Sequence, residues 1–340
     1  MMTSPHRLLW TGIFGLDAEA VQPGFEPGGI VLFTRNLDPD PVLGPQRCHA
    51  LIQDLQRRWG AQAPLAVAMD QEGGPVSRLR PWVGPTPPLA RIWQQAGAQG
   101  CHAWGALWGQ GLALLGINVA FAPVADLAGA ALGERAASAE PLAAARAAGA
   151  FLAGLEGARV RGCLKHFPGL GGTSLDSHLG LPELSDPATL KRNAVPFQML
   201  AHPDRLVMVA HLKTPRTGLL PASLSPLGVR DNGLGVAARF IPDDLEMGGC
   251  QDWDWEARVR LCLEAGHQAL LVCQTPEGIA ACARAAEHQP RHLWQPAADR
   301  WAGLRNHLPQ PQHLAPAAFQ RAAWDAWLEA VKSMAGIFLS

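Results

Sequence analysis

Eight short apolar runs, each closing on polar residues, constrain this chain more than any other feature. They read LLWTGIFGL from Leu8, GIVLFTRN from Gly29, LAVAMDQEGG from Leu65 and NVAFAPVADL from Asn118. The other four are RGCLKHFPG from Arg161, LVMVAHL from Leu206, ARFIPDD from Ala238 and ALLVCQ from Ala269. Runs this continuous suit strands buried on both faces, the condition of a parallel sheet. Between them VLGPQRCHALIQDLQRRWG, EPLAAARAAGAFLAGLEG and EARVRLCLEAG repeat apolar residues at helical spacing and close on glycine. Strands alternating with helices eight times predict an α/β fold, a closed (β/α)8 TIM-type barrel. With no linker or second core in view, residues 1–340 read as a single domain. The tail PQHLAPAAFQRAAWDAWLEAVKSM reads as a proline-led approach to a final helix over roughly 313–336.

Composition narrows the function classes. The formal net charge is −1 with no block of like charges, which argues against a nucleic-acid groove or a membrane-surface patch. No apolar run reaches the roughly 18 residues of a membrane helix. The start MMTSPHRLLW lacks a long apolar core and a cleavage site, so no secretory signal is expected. Seven scattered cysteines without a CxxC pair fit reduced thiols in a cytoplasmic protein rather than disulfides or a zinc knuckle.

Several runs end in residues able to do chemistry: Asp70, Lys165 with His166, His211 and Asp243. Barrel sites form at the C-terminal ends of strands. Any one of these could be a satisfied structural polar group, but together they imply one functional rim. The loop CLKHFPGLGGTSLDSHLGLP carries more. Pro168 and Gly169 stop the strand, and Gly171 and Gly172 loosen the segment beyond it. Asp176 and His178 are two apart and share a side of an extended segment. The carboxylate can then orient the imidazole and favour its protonated form, giving an Asp–His pair for proton transfer. The plainer alternative is a loop histidine stabilised by its neighbour. In FIPDDLEMGG, Asp243 comes directly after the strand and suits nucleophilic attack. Asp244 is expected to cap the next helix. A metal-hydrolase barrel is the rival, but the sequence has neither HxH nor HExxH.

GGIVLFTRN, AMDQEGGPVSRL, LGINVAFAPVADL, GERAASAEP, CLKHFPGLGGTSLDSHLGLP, VMVAHL, PASLSP, PDDLEM and AGHQALLVC run in order from about Leu9 to about Ala285. Together they resemble glycoside hydrolase family 3, and within it the short single-barrel bacterial β-N-acetylglucosaminidases. The resemblance implies a retaining exo-glycosidase that removes terminal N-acetylglucosamine from cell-wall-derived glycans, as in peptidoglycan recycling. It makes Asp243 the nucleophile and His178, paired with Asp176, the acid/base, an exception to the usual two-carboxylate scheme. It assigns Asp70, Arg78, Arg135, Lys165 and His166 to the sugar. It implies a carbohydrate as the partner, a cytoplasmic monomer, and no metal or organic cofactor. A β-N-acetylglucosaminide phosphorylase, a β-glucosidase and a catalytically weakened sugar-binding protein are the alternatives. The chain departs from the family pattern at Leu170, where a histidine is usual, at Pro75, usually arginine, and at Pro242, usually serine or threonine. The segment between PASLSP and PDDLEM is short, so a shortened or broken sixth barrel helix is expected.

Overall fold

The computed structural model describes residues 4–17, 24–173, 180–309 and 318–340. Each apolar run holds a strand: β1 Leu9–Gly12, β2 Gly29–Leu32, β3 Ala66–Met69, β4 Val119–Ala120, β5 Arg161–Phe167, β6 Leu206–Val209, β7 Arg239–Pro242 and β8 Leu270–Val272. The strands pair in parallel in the order β8-β1-β2-β3-β4-β5-β6-β7. This is a TIM-type barrel, nearly closed. Between β7 and β8 no ladder forms among the described residues; Gln268 N–H donates to the Phe240 C=O at 3.0 Å, and Leu245 N–H to the Leu271 C=O at 2.9 Å.

Helices wrap the outside: α1 Gly44–Trp59, α2 Leu89–Leu115, α3 Pro141–Gly157, α4 Pro187–Leu200, α5 Trp255–Ala265, α6 Pro276–His288, α7 Arg291–Arg305 and α8 Arg321–Leu339. In α1, Cys48, Leu51, Ile52, Leu55 and Trp59 form the buried stripe that the spacing predicts, and the helix stops at Gly60. The Asp254 side chain accepts the Ala257 N–H at the start of α5, and Gly266 ends that helix at φ 102°. Between β6 and β7 the described residues form only a 3-10 turn, Ala222–Leu224, where a regular barrel has its sixth helix.

Two close approaches organise the outer layer. A Cβ on Gly105 of α2 would lie 2.1 Å from the Phe151 carbonyl of α3, and one on Gly154 would lie 2.1 Å from the His102 carbonyl. Only hydrogen at these positions lets the two backbones touch. On the other side of α2, α8 docks through tryptophans. Trp324 packs on Trp327 at 4.4 Å, Trp327 reaches Trp108 at 6.1 Å, and Trp108 meets Trp104 at 4.9 Å. Phe319 packs on His49 and Trp324 ahead of this helix, and α8 begins only at Arg321; part of the expected 313–336 span lies outside the described residues. All seven cysteines are buried and free. Among the described residues no helix is long and apolar enough to cross a membrane.

Candidate active site

The C-terminal ends of the strands converge on a cavity of ≈ 290 Å³. Asp70, Arg78, Arg135, Lys165, His166 and Asp243 all line it, so the structure gathers six of the eight residues to which the family resemblance gives a role. Asp176 and His178 lie outside the described residues.

Local backbone features aim these side chains. Asp70 comes after β3 and leads into a hairpin, Gln71–Gly73 paired with Val76–Ser77. Gly73 and Gly74 turn it at φ 94° and 60°, a conformation that side chains resist. Pro75 occupies the turn beyond the Gly73–Val76 pair, so its missing N–H removes no ladder bond. In β5 the register against β6 slips by one residue between Leu164 and Phe167. That bulge breaks the strict alternation of a strand and lets consecutive Lys165 and His166 both face the cavity.

The polar groups form a chain of alternating charge. Arg78 Nη2 lies 3.2 Å from Asp70, whose other oxygen accepts Lys165 Nζ at 2.8 Å. The same ammonium lies 2.6 Å from Glu72, which Arg135 grips with two hydrogen bonds of 2.9 Å. Lys165 is 2 % exposed. Burial alone would raise the Asp70 and Glu72 pKa values and lower that of Lys165. The mutual charges outweigh it, so both carboxyls sit below and the ammonium above their ordinary values. Three cations and two carboxylates in a row leave Asp70 ionised and able to accept hydrogen bonds from vicinal hydroxyls.

Two residues of this network, Glu72 and Asp126, escape a reading of strand ends alone. Asp126 is fully buried and accepts the His166 N–H at 2.9 Å, the His166 ring at Nδ1 at 2.8 Å and the Leu170 N–H at 2.7 Å. It fixes the imidazole so that Nε2 is left for a ligand. A signal for it exists in the sequence: NVAFAPVADL is also an apolar run that ends in an acid. Leu170 lines the cavity with its side chain and gives Asp126 its N–H, so the loop is tied down through backbone where the family pattern has a histidine.

Asp243 is half-buried on the cavity wall. Its N–H donates to the Val209 C=O at 3.0 Å, and its Oδ1 accepts the Asp244 N–H at 2.8 Å. Arg239 and Asp243 donate toward β6, so the even-numbered residues of β7 face β8. Pro242 therefore falls on the side where the ladder is open, and its lack of N–H is harmless there. Asp244 does not cap a helix. The next helix begins eleven residues on at Trp255 with its own cap, Asp254. Asp244 instead braces the turn, accepting Gln274 Nε2 at 2.8 Å and the Glu246 N–H at 3.1 Å. Burial, with the neighbouring Glu246 and Asp243 charges, pushes its pKa up to about 7. His211 is fully buried behind the rim rather than lining the cavity.

A barrel rim with an ionised sugar-sized cradle and a nearby carboxylate is a glycoside hydrolase arrangement, and comparison with known proteins agrees. The profile of the glycosyl hydrolase family 3 N terminal domain matches residues 22–293. The chain belongs to glycosyl hydrolase family 3. It is 34% identical over 279 residues to a beta-hexosaminidase of Thioalkalivibrio sulfidiphilus, covering 77% of this chain and 78% of that one. Among solved structures, a GH3 glycosyl hydrolase of Mycobacterium smegmatis superposes with TM-score 0.79 at 30% identity, over 91% of this chain and 98% of that one. NagZ from Neisseria gonorrhoeae, solved with N-trifluoroacetyl-D-glucosamine, superposes with TM-score 0.73 at 27% identity, over 98% of both chains.

Proposed function

We propose that this protein is a retaining exo-β-N-acetylglucosaminidase acting on cell-wall-derived glycans in the cytoplasm. The observation that carries the reading is Asp243, a carboxylate held by one backbone N–H on the wall of the cavity that also holds the Arg78–Asp70–Lys165 chain. Asp70, Arg78, Lys165 and His166 grip the hydroxyls of one terminal sugar, and Arg135 holds Glu72 against Lys165. His178, oriented by Asp176, protonates the departing glycosidic oxygen as Asp243 attacks the anomeric carbon. A glycosyl–aspartate ester forms and the aglycone leaves with the proton. Neutral His178 then takes a proton from water, which opens the ester and releases the sugar with its configuration retained. The beta-hexosaminidase relatives and the NagZ likeness support the N-acetylglucosamine preference. The steps use only side chains of a single barrel domain.

The test is release of chromophore from an aryl β-N-acetylglucosaminide. Asp243→Asn should abolish it. His178→Ala should lower turnover by roughly 10²–10⁴-fold for an alkyl leaving group and by much less for an aryl one that needs little protonation. Absence of turnover by the unmutated protein, with or without phosphate, would falsify the reading; sugar-1-phosphate as product would mark a phosphorylase.

A further inference from the structure

A buried polar chain runs behind the rim and ends on the turn that carries Asp243. His267 Nε2 lies 2.7 Å from the Ser223 C=O, Ser223 Oγ lies 2.7 Å from His211 Nδ1, and His211 Nε2 lies 2.8 Å from the Asp244 C=O. All three side chains are fully buried. The protons can be assigned from chemistry. A carbonyl only accepts, so His211 carries its proton on Nε2 and donates to Asp244. In the neutral ring Nδ1 is then an acceptor, and the Ser223 hydroxyl donates to it.

Among the described residues the chain ends on the Asp243 turn. The Asp243 turn is tied by backbone to β6 through Asp243 N–H and to β8 through Leu245 N–H. His211 adds a side-chain anchor between those two. The fit is tight: a Cβ on Gly249 would lie 2.7 Å from His211 Cβ, so the turn closes directly over the ring, with Cys250 Sγ 3.2 Å from Nδ1. Ser223 belongs to the 3-10 turn that replaces the sixth helix. That turn is stitched to the His211 segment by Ala222 N–H to Leu212 C=O at 2.8 Å and Ser223 N–H to Ala210 C=O at 3.2 Å. The PASLSP stretch thereby gains a purpose: it presents one hydroxyl to one imidazole.

We propose that His211, its ring steadied at Nδ1 by the Ser223 hydroxyl, is a positioning residue that holds the Asp243 carboxylate in line for attack by fixing the backbone of Asp244. It touches no sugar. Its reach is indirect: Asp244 N–H is the donor to Asp243 Oδ1, and His211 holds the carbonyl of that same residue. The inference rests on Asp243 being the nucleophile. A displacement of about 1 Å at a reacting group costs on the order of 10²-fold in rate.

The experiment measures kcat and KM for an aryl β-N-acetylglucosaminide, with thermal melting, in Ser223→Ala, His211→Gln and His211→Leu. Ser223→Ala deletes one oxygen and should lower kcat about 10-fold, with KM within about 2-fold and a melting temperature lowered by only a few degrees, still far above the assay temperature. His211→Leu should lose about 10²-fold in kcat, and His211→Gln, whose amide can still donate toward Asp244, should recover part of it. Should His211→Leu fail to fold, Ser223→Ala decides. Unchanged kcat in Ser223→Ala and His211→Gln, while Asp243→Asn is dead, overturns this proposal alone. So does a loss confined to KM. No turnover by the unmutated protein, or turnover that survives Asp243→Asn, overturns the functional reading and this proposal with it.

Discussion

Lys165 shows how much of the site hangs on single atoms. One buried ammonium serves two carboxylates, Asp70 and Glu72. Lys165→Met should cost up to about 3 kcal/mol at pH 7, because Asp70 and Glu72 each lose one of two cations and keep only an arginine. The sign with pH is also fixed. Both carboxyl pKa values are depressed by folding, so the stability they lend is present above about pH 4 and is lost as pH falls through the folded values. In Lys165→Met the dependence should weaken, because Arg78 and Arg135 alone then hold the two carboxyls down, so melting should change less between pH 4 and pH 7 than in the unmutated protein. Asp244 behaves oppositely. Its folded pKa of about 7 lies above the unfolded value, so its contribution is complete below about pH 4 and is lost as pH rises toward 7. Asp244→Asn should therefore stabilise the protein at pH 8 relative to pH 5, by up to about 3 kcal/mol, read from paired melting curves. The strand-end acids and Lys165 are legible in the sequence because apolar runs make their polar ends conspicuous. The bracing role of Asp244 is not, because a cap needs a helix within a residue or two, and loop length is invisible in a local pattern.

Elements are legible where one face alone is buried or both are. All eight strands fall inside apolar runs, and α1, α3 and α5 end at or beside the glycines that close their patterns. Features created by two elements meeting leave no such pattern. The one-residue slip in β5 is defined by its pairing with β6 and not by β5 alone. The glycines of α2 and α3 look like poor helix residues until the two backbones are brought together. Gly154→Ala should cost about 1–3 kcal/mol despite its better helix propensity, because the added methyl meets the His102 carbonyl. A chemical denaturation series would show it as a lower midpoint with an unchanged slope. The absent sixth helix, by contrast, is readable as a length deficit between PASLSP and PDDLEM.

The whole barrel carries a seam. With no β7–β8 ladder among the described residues and no helix between β6 and β7, opening should begin there. Amides of β7 and β8 should exchange with solvent before those of β2 and β3, as native-state hydrogen exchange would report. A closed ring is the expectation from eight runs buried on both faces; the imperfect closure, with Pro242 on its open side, is seen only in the assembled molecule. The tryptophan cluster under α8 has a consequence of another kind. The chain has 12 tryptophans and no tyrosine, so its near-ultraviolet absorption and its emission come almost wholly from indole. Trp82, Trp104, Trp108, Trp324 and Trp327 lie in one chain of rings with centroids 4.4–6.1 Å apart. Neighbours that close share excitation, so light absorbed in the outer helices reports first on whether the last helix is seated, and the protein carries its own optical gauge of its C-terminal end.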